Sequence, residues 1–235
     1  MRQLLTIVFF LNSGITFGQS FSYPHIETQG KTIADFIPKG WTLLDSTTGD
    51  LNNDRQNDLA FVIQYRDSIS LVSTEDNFPD TVITQPRVLV IAFYNPARKE
   101  YELIEQSNTF ILNHDNPGMD EPFQKISISK GILQIDFQIF MNMGGWEMSD
   151  NSYKFRYLDN EFLLIGADYN STNRASGETE YRSYNFLTKK VKTTTGNFSI
   201  SKQKTVWRKF VIQKLKTLKT FVQPFTWEVE KDYYL

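Results

Sequence analysis

Apolar and polar positions alternate with a period of two along much of the chain. Ile126-Ser127-Ile128 and Leu133-Gln134-Ile135-Asp136-Phe137-Gln138-Ile139 flank Lys130-Gly131, and this spacing predicts two half-buried strands joined by a tight turn. The same grammar recurs three times. Residues 88–94 and 101–104 flank Asn95-Pro96-Ala97-Arg98, residues 153–157 and 162–165 flank Asp159-Asn160, and residues 181–187 and 191–195 flank Thr188-Lys189-Lys190. Each pair reads as an antiparallel hairpin. Leu59-Ala60-Phe61-Val62-Ile63 is instead an unbroken apolar run of strand length, which predicts a strand buried on both faces. Residues 41–44 read as a short strand.

Other stretches interrupt this pattern. Residues 32–37 suit one helical turn, ended by Pro38-Lys39-Gly40, because proline restricts its predecessor and glycine favours turns. Residues 45–57 and 113–121 are polar and read as loops. Residues 66–86 hold Asp67, Glu75, Asp76, Pro79, Asp80 and Pro86 among few apolar positions, so they predict a long excursion. Met143-Gly144-Gly145-Trp146 reads as a flexible break. In residues 206–222, Trp207, Val211, Leu215, Leu218 and Val222 recur every three or four positions, with Arg208, Lys209, Lys216 and Lys219 off that stripe, which predicts an amphipathic helix. The expected class is therefore all-β and antiparallel, as a sandwich, barrel or partial propeller, with one or two short helices, one of them near the C-terminus.

The first residues change the picture from fold to compartment. Met1-Arg2-Gln3 supplies a positive end, residues 4–11 are nearly all apolar, and Thr16-Phe17-Gly18 puts small residues before a cut ahead of Gln19. This is the pattern of a signal peptide over residues 1–18, with a single mainly β domain over 19–235 and an expected location that is secreted or periplasmic. The apolar run is too short for a membrane span, which needs about 20 residues, and the chain has no cysteine to carry a lipid, so no membrane anchor is expected. Absence of cysteine also removes disulfides, thiol nucleophiles and thiolate metal sites. A hydrophobic share of 40% is enough for a sizeable core, and a formal net charge of -2 gives no global attraction to nucleic acid.

One segment carries a mechanism. Asp50-Leu51-Asn52-Asn53-Asp54-Arg55-Gln56-Asn57-Asp58 places oxygen side chains at positions 1, 3, 5 and 9, with a backbone carbonyl available from Gln56 at position 7. Such spacing suits a loop wrapped around a hard cation, because Ca²⁺ takes six to eight oxygen ligands. An EF-hand is not implied, since position 12 is Phe61 within the apolar run. Residues 49–60 resemble the calcium loop of FG-GAP and VCBS-type repeats, which reads Asp-x-Asn-x-Asp-Gly-x-x-Asp and leads into a propeller strand. By position, the resemblance implies Asp50, Asn52, Asp54 and Asp58 as side-chain ligands of Ca²⁺ and Gln56 as a carbonyl ligand. Arg55 departs from the pattern, which has glycine there. The motif occurs once, whereas a propeller would repeat it. Asp120-Glu121-Pro122-Phe123 and residues 153–157, 162–166 and 184–188 are also similar to segments of exported bacterial proteins bearing one such loop. That similarity implies kinship and no activity. Without metal, the same residues describe a solvated Asp/Asn turn.

Other chemistry is sparse. His25 and His114 are the two histidines, and neither lies in a zinc or hydrolase motif. Carboxylates for glycoside chemistry depend on tertiary placement, so a hydrolase of envelope or extracellular polymer stands as the alternative to a binding or interaction protein whose partner is an extracellular glycan or protein. Lys189-Lys190-Val191-Lys192 and the lysines at 202–219 could grip a polyanion or form a solvated face. Trp146 and Tyr169 could stack on sugars or pack at a rim.

Overall fold

The computed structural model describes residues 21–73 and 80–235; the signal-peptide expectation for residues 1–18 lies outside the described residues. The architecture is all-β and antiparallel. Sixteen strands are formed among the described residues: β1 Gln29–Gly30, β2 Trp41–Gly49, β3 Asp58–Tyr65, β4 Ile69–Ser73, β5 Asp80–Thr84, β6 Arg87–Asn95, β7 Glu100–Ser107, β8 Phe123–Ser129, β9 Ile132–Phe140, β10 Glu147–Leu158, β11 Glu161–Asn173, β12 Glu178–Asn185, β13 Lys190–Asn197, β14 Ile200–Lys209, β15 Glu228–Glu230 and β16 Tyr233–Tyr234. A five-stranded sheet has the order β1-β7-β6-β3-β2, and a seven-stranded sheet is a meander from β8 to β14. The pairs β4-β5 and β15-β16 are separate hairpins.

Two cores explain the apolar patterning. The seven-stranded sheet follows the period-two rule, turning Leu133, Ile135, Phe137, Tyr153, Phe155, Phe162, Leu164, Tyr184 and Val191 inward. Ala60, Val62, Leu89 and Ile91 of the five-stranded sheet join the same core. The opposite face of that sheet packs Leu59, Phe61, Ile63, Val88 and Val90 against Ile26, Phe36 and Trp41. Strands β3 and β6 thus have covers on both faces, which is why their sequences read as unbroken apolar runs.

The sheets meet edge to edge at β2 and β8. Asp45 Oδ2 accepts the Ile126 N–H at 2.8 Å, and Thr47 Oγ1 accepts the Ile128 N–H at 3.3 Å. Side chains on β2 therefore satisfy donors of a strand edge that would otherwise be open. At the end of this seam the chains run close: a Cβ on Gly49 would fall 2.5 Å from Ile128 Cγ2.

The four predicted hairpins form as read. Asp159 and Asn160, with φ of 51° and 63°, make the β10-β11 turn, since two left-handed residues match the twist of adjoining strands. The helical turn expected at 32–37 is a short 3₁₀ helix, Ile33–Phe36, with Thr32 and Asp35 forming a capping box.

Three expectations need correction. The strand expected at 41–44 runs on to Gly49, taking up the first residues assigned to a polar loop, because the seam with β8 gives Asp45 and Thr47 partners. The excursion at 66–86 includes the hairpin β4-β5. No helix forms at 206–222. Residues through Lys209 pair with β13 as β14, and the chain then crosses the end of the core irregularly, with Leu164 N–H donating to Lys216 O at 2.8 Å and Leu218 N–H to Phe162 O at 2.9 Å. The helical stripe is split rather than buried as one face: Trp207, Val211 and Val222 are exposed and Leu218 is buried, while Phe210, Ile212 and Phe221, off the stripe, are buried as well. Pairing with β13 supplies a ladder of backbone hydrogen bonds that local periodicity cannot anticipate, and β-branched Thr205 and Val206 suit it.

Candidate functional site

The 50–58 loop connects β2 to β3 and is anchored at both ends. Leu51 is fully buried in the main core. Asp58 is also fully buried; its Oδ2 accepts the Leu51 N–H at 2.8 Å and its Oδ1 accepts the Tyr94 N–H at 3.1 Å, tying the loop to β6. Between these anchors the oxygens turn onto the loop's own backbone. Asp50 accepts the N–H groups of Asp54 and Arg55 at 3.2 and 2.9 Å, Asn52 Oδ1 accepts the Asp54 N–H at 3.0 Å, and Asp54 Oδ1 accepts the Gln56 N–H at 2.7 Å. Asn52 Nδ2 donates to Asp54 Oδ2 at 3.0 Å.

This folding requires two left-handed residues, Asn53 at φ 64° and Arg55 at φ 69°. Asparagine tolerates that region, but arginine carries a cost of about 1–2 kcal/mol for its Cβ. Arg55 thus adopts the conformation that the glycine of the resembling pattern would take freely. The Lys130-Gly131 turn abuts the loop, and a Cβ on Gly131, where φ is 70°, would sit 3.4 Å from Asn53 Oδ1.

The donor set consists of oxygens alone, as a hard cation requires. Each carboxylate oxygen that accepts one N–H keeps a second lone pair, so Asp50, Asn52 and Asp54 could hold Ca²⁺ from the exposed side of the loop. Asp58 stands apart, facing inward between Leu51 and Tyr94. Burial pushes its carboxyl up to about 6, against the two N–H donors that favour the charged form and with the Asp54 charge adding to the rise. A divalent cation beside it would offset both penalties.

The outward face of the seven-stranded sheet is the second chemical surface. One cross-strand row runs Asp136, Ser152, Asp168, Ser183, Lys192 and Trp207. Asp136 accepts from the Ser152 hydroxyl at 2.6 Å and from Gln134 at 2.8 Å. Asp168 accepts from Ser183 Oγ at 2.6 Å and pairs with Lys154. Trp207 is 65% exposed. Trp146 is exposed as well, whereas the Tyr169 hydroxyl is committed to Glu147 at 2.7 Å.

Sequence reasoning missed the ion pair between the buried Arg87 and the half-exposed Glu121. Its only linear signal was a lone cation opening the apolar strand β6, in Pro86-Arg87-Val88. His114, in the same polar neighbourhood, has its Nε2 2.7 Å from Met119 O. Among the described residues, no helix is long and apolar enough to cross a membrane. No family model matches the chain, and no significant match was found among curated proteins or solved structures.

Proposed function

We propose that this chain is an exported, non-enzymatic binding or interaction domain, with recognition carried by its loops and open sheet face and with the 50–58 loop held by Ca²⁺. The observation that carries the metal reading is the oxygen-lined turn around Asp50, Asn52 and Asp54, drawn tight by backbone N–H donors and by left-handed backbone at Asn53 and Arg55. The resemblance to FG-GAP and VCBS-type loops implies Gln56 and Asp58 as further ligands; Asp58, turned inward onto Leu51 and Tyr94, would act on the ion from beneath the loop while anchoring it. The ion would fix the loop against β6 and the Lys130-Gly131 turn.

Comparing melting in EDTA and in about 10 mM CaCl₂, some ten times the Kd of a weak extracellular site of about 10⁻³ M, tests this reading. The expected gain is about 1.4 kcal/mol, or a rise of about 3–6 °C for a chain of this size. Asp50→Ala and Asp54→Ala should each abolish the rise while leaving a folded protein. Identical melting curves in the two buffers would reject the calcium loop. Intact mass of exported protein should place the mature N-terminus near Gln19. Turnover of chromogenic glycosides that is lost in Asp136→Asn or Asp168→Asn would replace the binding reading with the hydrolase one.

A further inference from the structure

We propose that the outward face of β12–β14 docks an acidic polysaccharide, with Trp207 stacking on a sugar ring and Lys190, Lys192 and Lys209 pairing with its carboxylates. This deepens the binding-domain reading and rests on it, because export is what would bring the face into contact with extracellular polymer.

The charge on this face is one-sided. Tyr184 and Val191 are buried on the core side, and cross-strand pairing places Lys190 beside Lys209 and Lys192 beside Trp207 on the other side. The acidic residues of these three strands are Glu178 and Glu180. Both alternate onto the core side, where Glu180 pairs with Arg182. Asp168 is the nearest carboxylate on the outward face, and Lys154, Ser183 and Tyr181 already occupy it. Three cations are thus left facing solvent around an aromatic ring.

The geometry fits an extended polymer with regularly repeated charge. Adjacent strands lie about 5 Å apart and outward positions along one strand recur about every 7 Å, so the ammonium groups form a short grid instead of a single point. Lys192 is the cross-strand partner of Trp207, whose side chain is 65% exposed, and an exposed indole offers apolar area with few rotatable bonds to freeze. The Lys192 Nζ also lies 5.9 Å from the Tyr181 ring centre, which steadies that side chain beside Trp207. Farther along the same face, Asp136 and Asp150 lie on β9 and β10. These would repel a long phosphate backbone laid across the sheet and confine an anionic chain to the β12–β14 end.

Affinity electrophoresis through gels containing polygalacturonate or neutral dextran tests the assignment. Wild-type protein should be retarded by polygalacturonate and not by dextran. The retardation should fade between about 0.1 M and 1 M salt, where the screening length falls from about 10 Å to 3 Å. Trp207→Ala should weaken binding about ten-fold, the scale of one lost stacking contact, and Lys190→Gln, Lys192→Gln and Lys209→Gln together should remove the salt-sensitive part. Because these side chains are solvent-facing, melting temperatures should be unchanged, which separates lost binding from lost folding. Absence of retardation by polygalacturonate overturns the proposal, as does tighter binding of polyglutamate or single-stranded DNA. Polygalacturonate binding that survives all the substitutions would also overturn this face while leaving the binding-domain reading intact. Carboxylate-dependent cleavage of the polymer would instead defeat that reading.

Discussion

Arg87 and Glu121 form a two-pronged ion pair, Nη1 to Oε1 at 2.6 Å and Nη2 to Oε2 at 2.7 Å, that ties the first residue of β6 to the loop entering β8. The Arg87 guanidinium also donates to Leu112 O at 2.7 Å and to Gln64 Oε1 at 2.8 Å. Arg87 is buried, with 3% exposure, whereas the Glu121 side chain is 46% exposed. The pair therefore bridges the two sheets at a point that water reaches from one side only.

Removing the carboxylate strands a buried cation. Breaking such a pair costs about 3–5 kcal/mol in a dry interior, and the exposure of Glu121 reduces this to about 2–3 kcal/mol for Glu121→Ala. Burial opposes ionisation of Glu121, but the guanidinium outweighs it and holds the carboxyl below its usual range. The stability contributed is thus complete above the unfolded carboxyl value of about 4.3, and it is lost as pH falls through the lower folded value. Urea denaturation at pH 7 and below pH 4 should show a wild-type advantage over Glu121→Gln that shrinks in acid.

Asp58 makes a different kind of link. Its two oxygens each receive a backbone N–H, from Leu51 and Tyr94. Asparagine can accept only one of them and turns an amide toward the other, so Asp58→Asn should cost about 1–3 kcal/mol. Because the defect lies at the loop anchor, hydrogen exchange should quicken at the Leu51 or Tyr94 amide. Unchanged protection at both would contradict the clamp.

Arg55→Gly relieves the left-handed strain at φ 69° without touching a ligand oxygen. A net gain of about 1 kcal/mol is expected in EDTA. Removal of the neighbouring positive charge should also enlarge the calcium-dependent rise in melting temperature. A destabilised Arg55→Gly would mean that the arginine side chain makes a contact worth more than the backbone strain.

Phe110 is the hub of the main core. Its ring meets Phe155, Phe221, Tyr153 and Phe137 with centroids 5.1, 5.5, 5.6 and 6.3 Å away. From the loop that follows β7, it joins the seven-stranded sheet to the C-terminal segment. Phe110→Ala and Phe221→Ala should each cost about 3–5 kcal/mol. Combined, they should cost less than the sum by about 0.5–1.5 kcal/mol, the coupling of one aromatic pair. Additive losses in a double-mutant cycle would show that the C-terminal segment packs independently of this hub.

Local information was sufficient for the hairpins. The turns at Lys130-Gly131 and Asp159-Asn160 and the alternation beside them specify register, because slipping by one residue would turn each apolar face to water. The run at residues 59–63 announced a strand covered on both sides, since no polar face had to be provided for solvent. Oxygen spacing in the 50–58 loop was likewise a local property, and in the fold Asp50, Asn52 and Asp54 are linked by hydrogen bonds through the loop's own backbone and side chains. Three features depended on residues distant in the chain. Asp58 turned inward because the Tyr94 N–H lay beside it. Asp45 and Thr47 extended β2 because the edge of β8 needed acceptors. Residues 206–209 became an edge strand because β13 offered a hydrogen-bonding partner, which left Trp207 in solvent instead of in a helical core stripe. Local sequence sets the cost of each backbone conformation, but long-range pairing decides which buried polar groups find partners, and those groups determined the loop anchor, the seam between sheets and the open face.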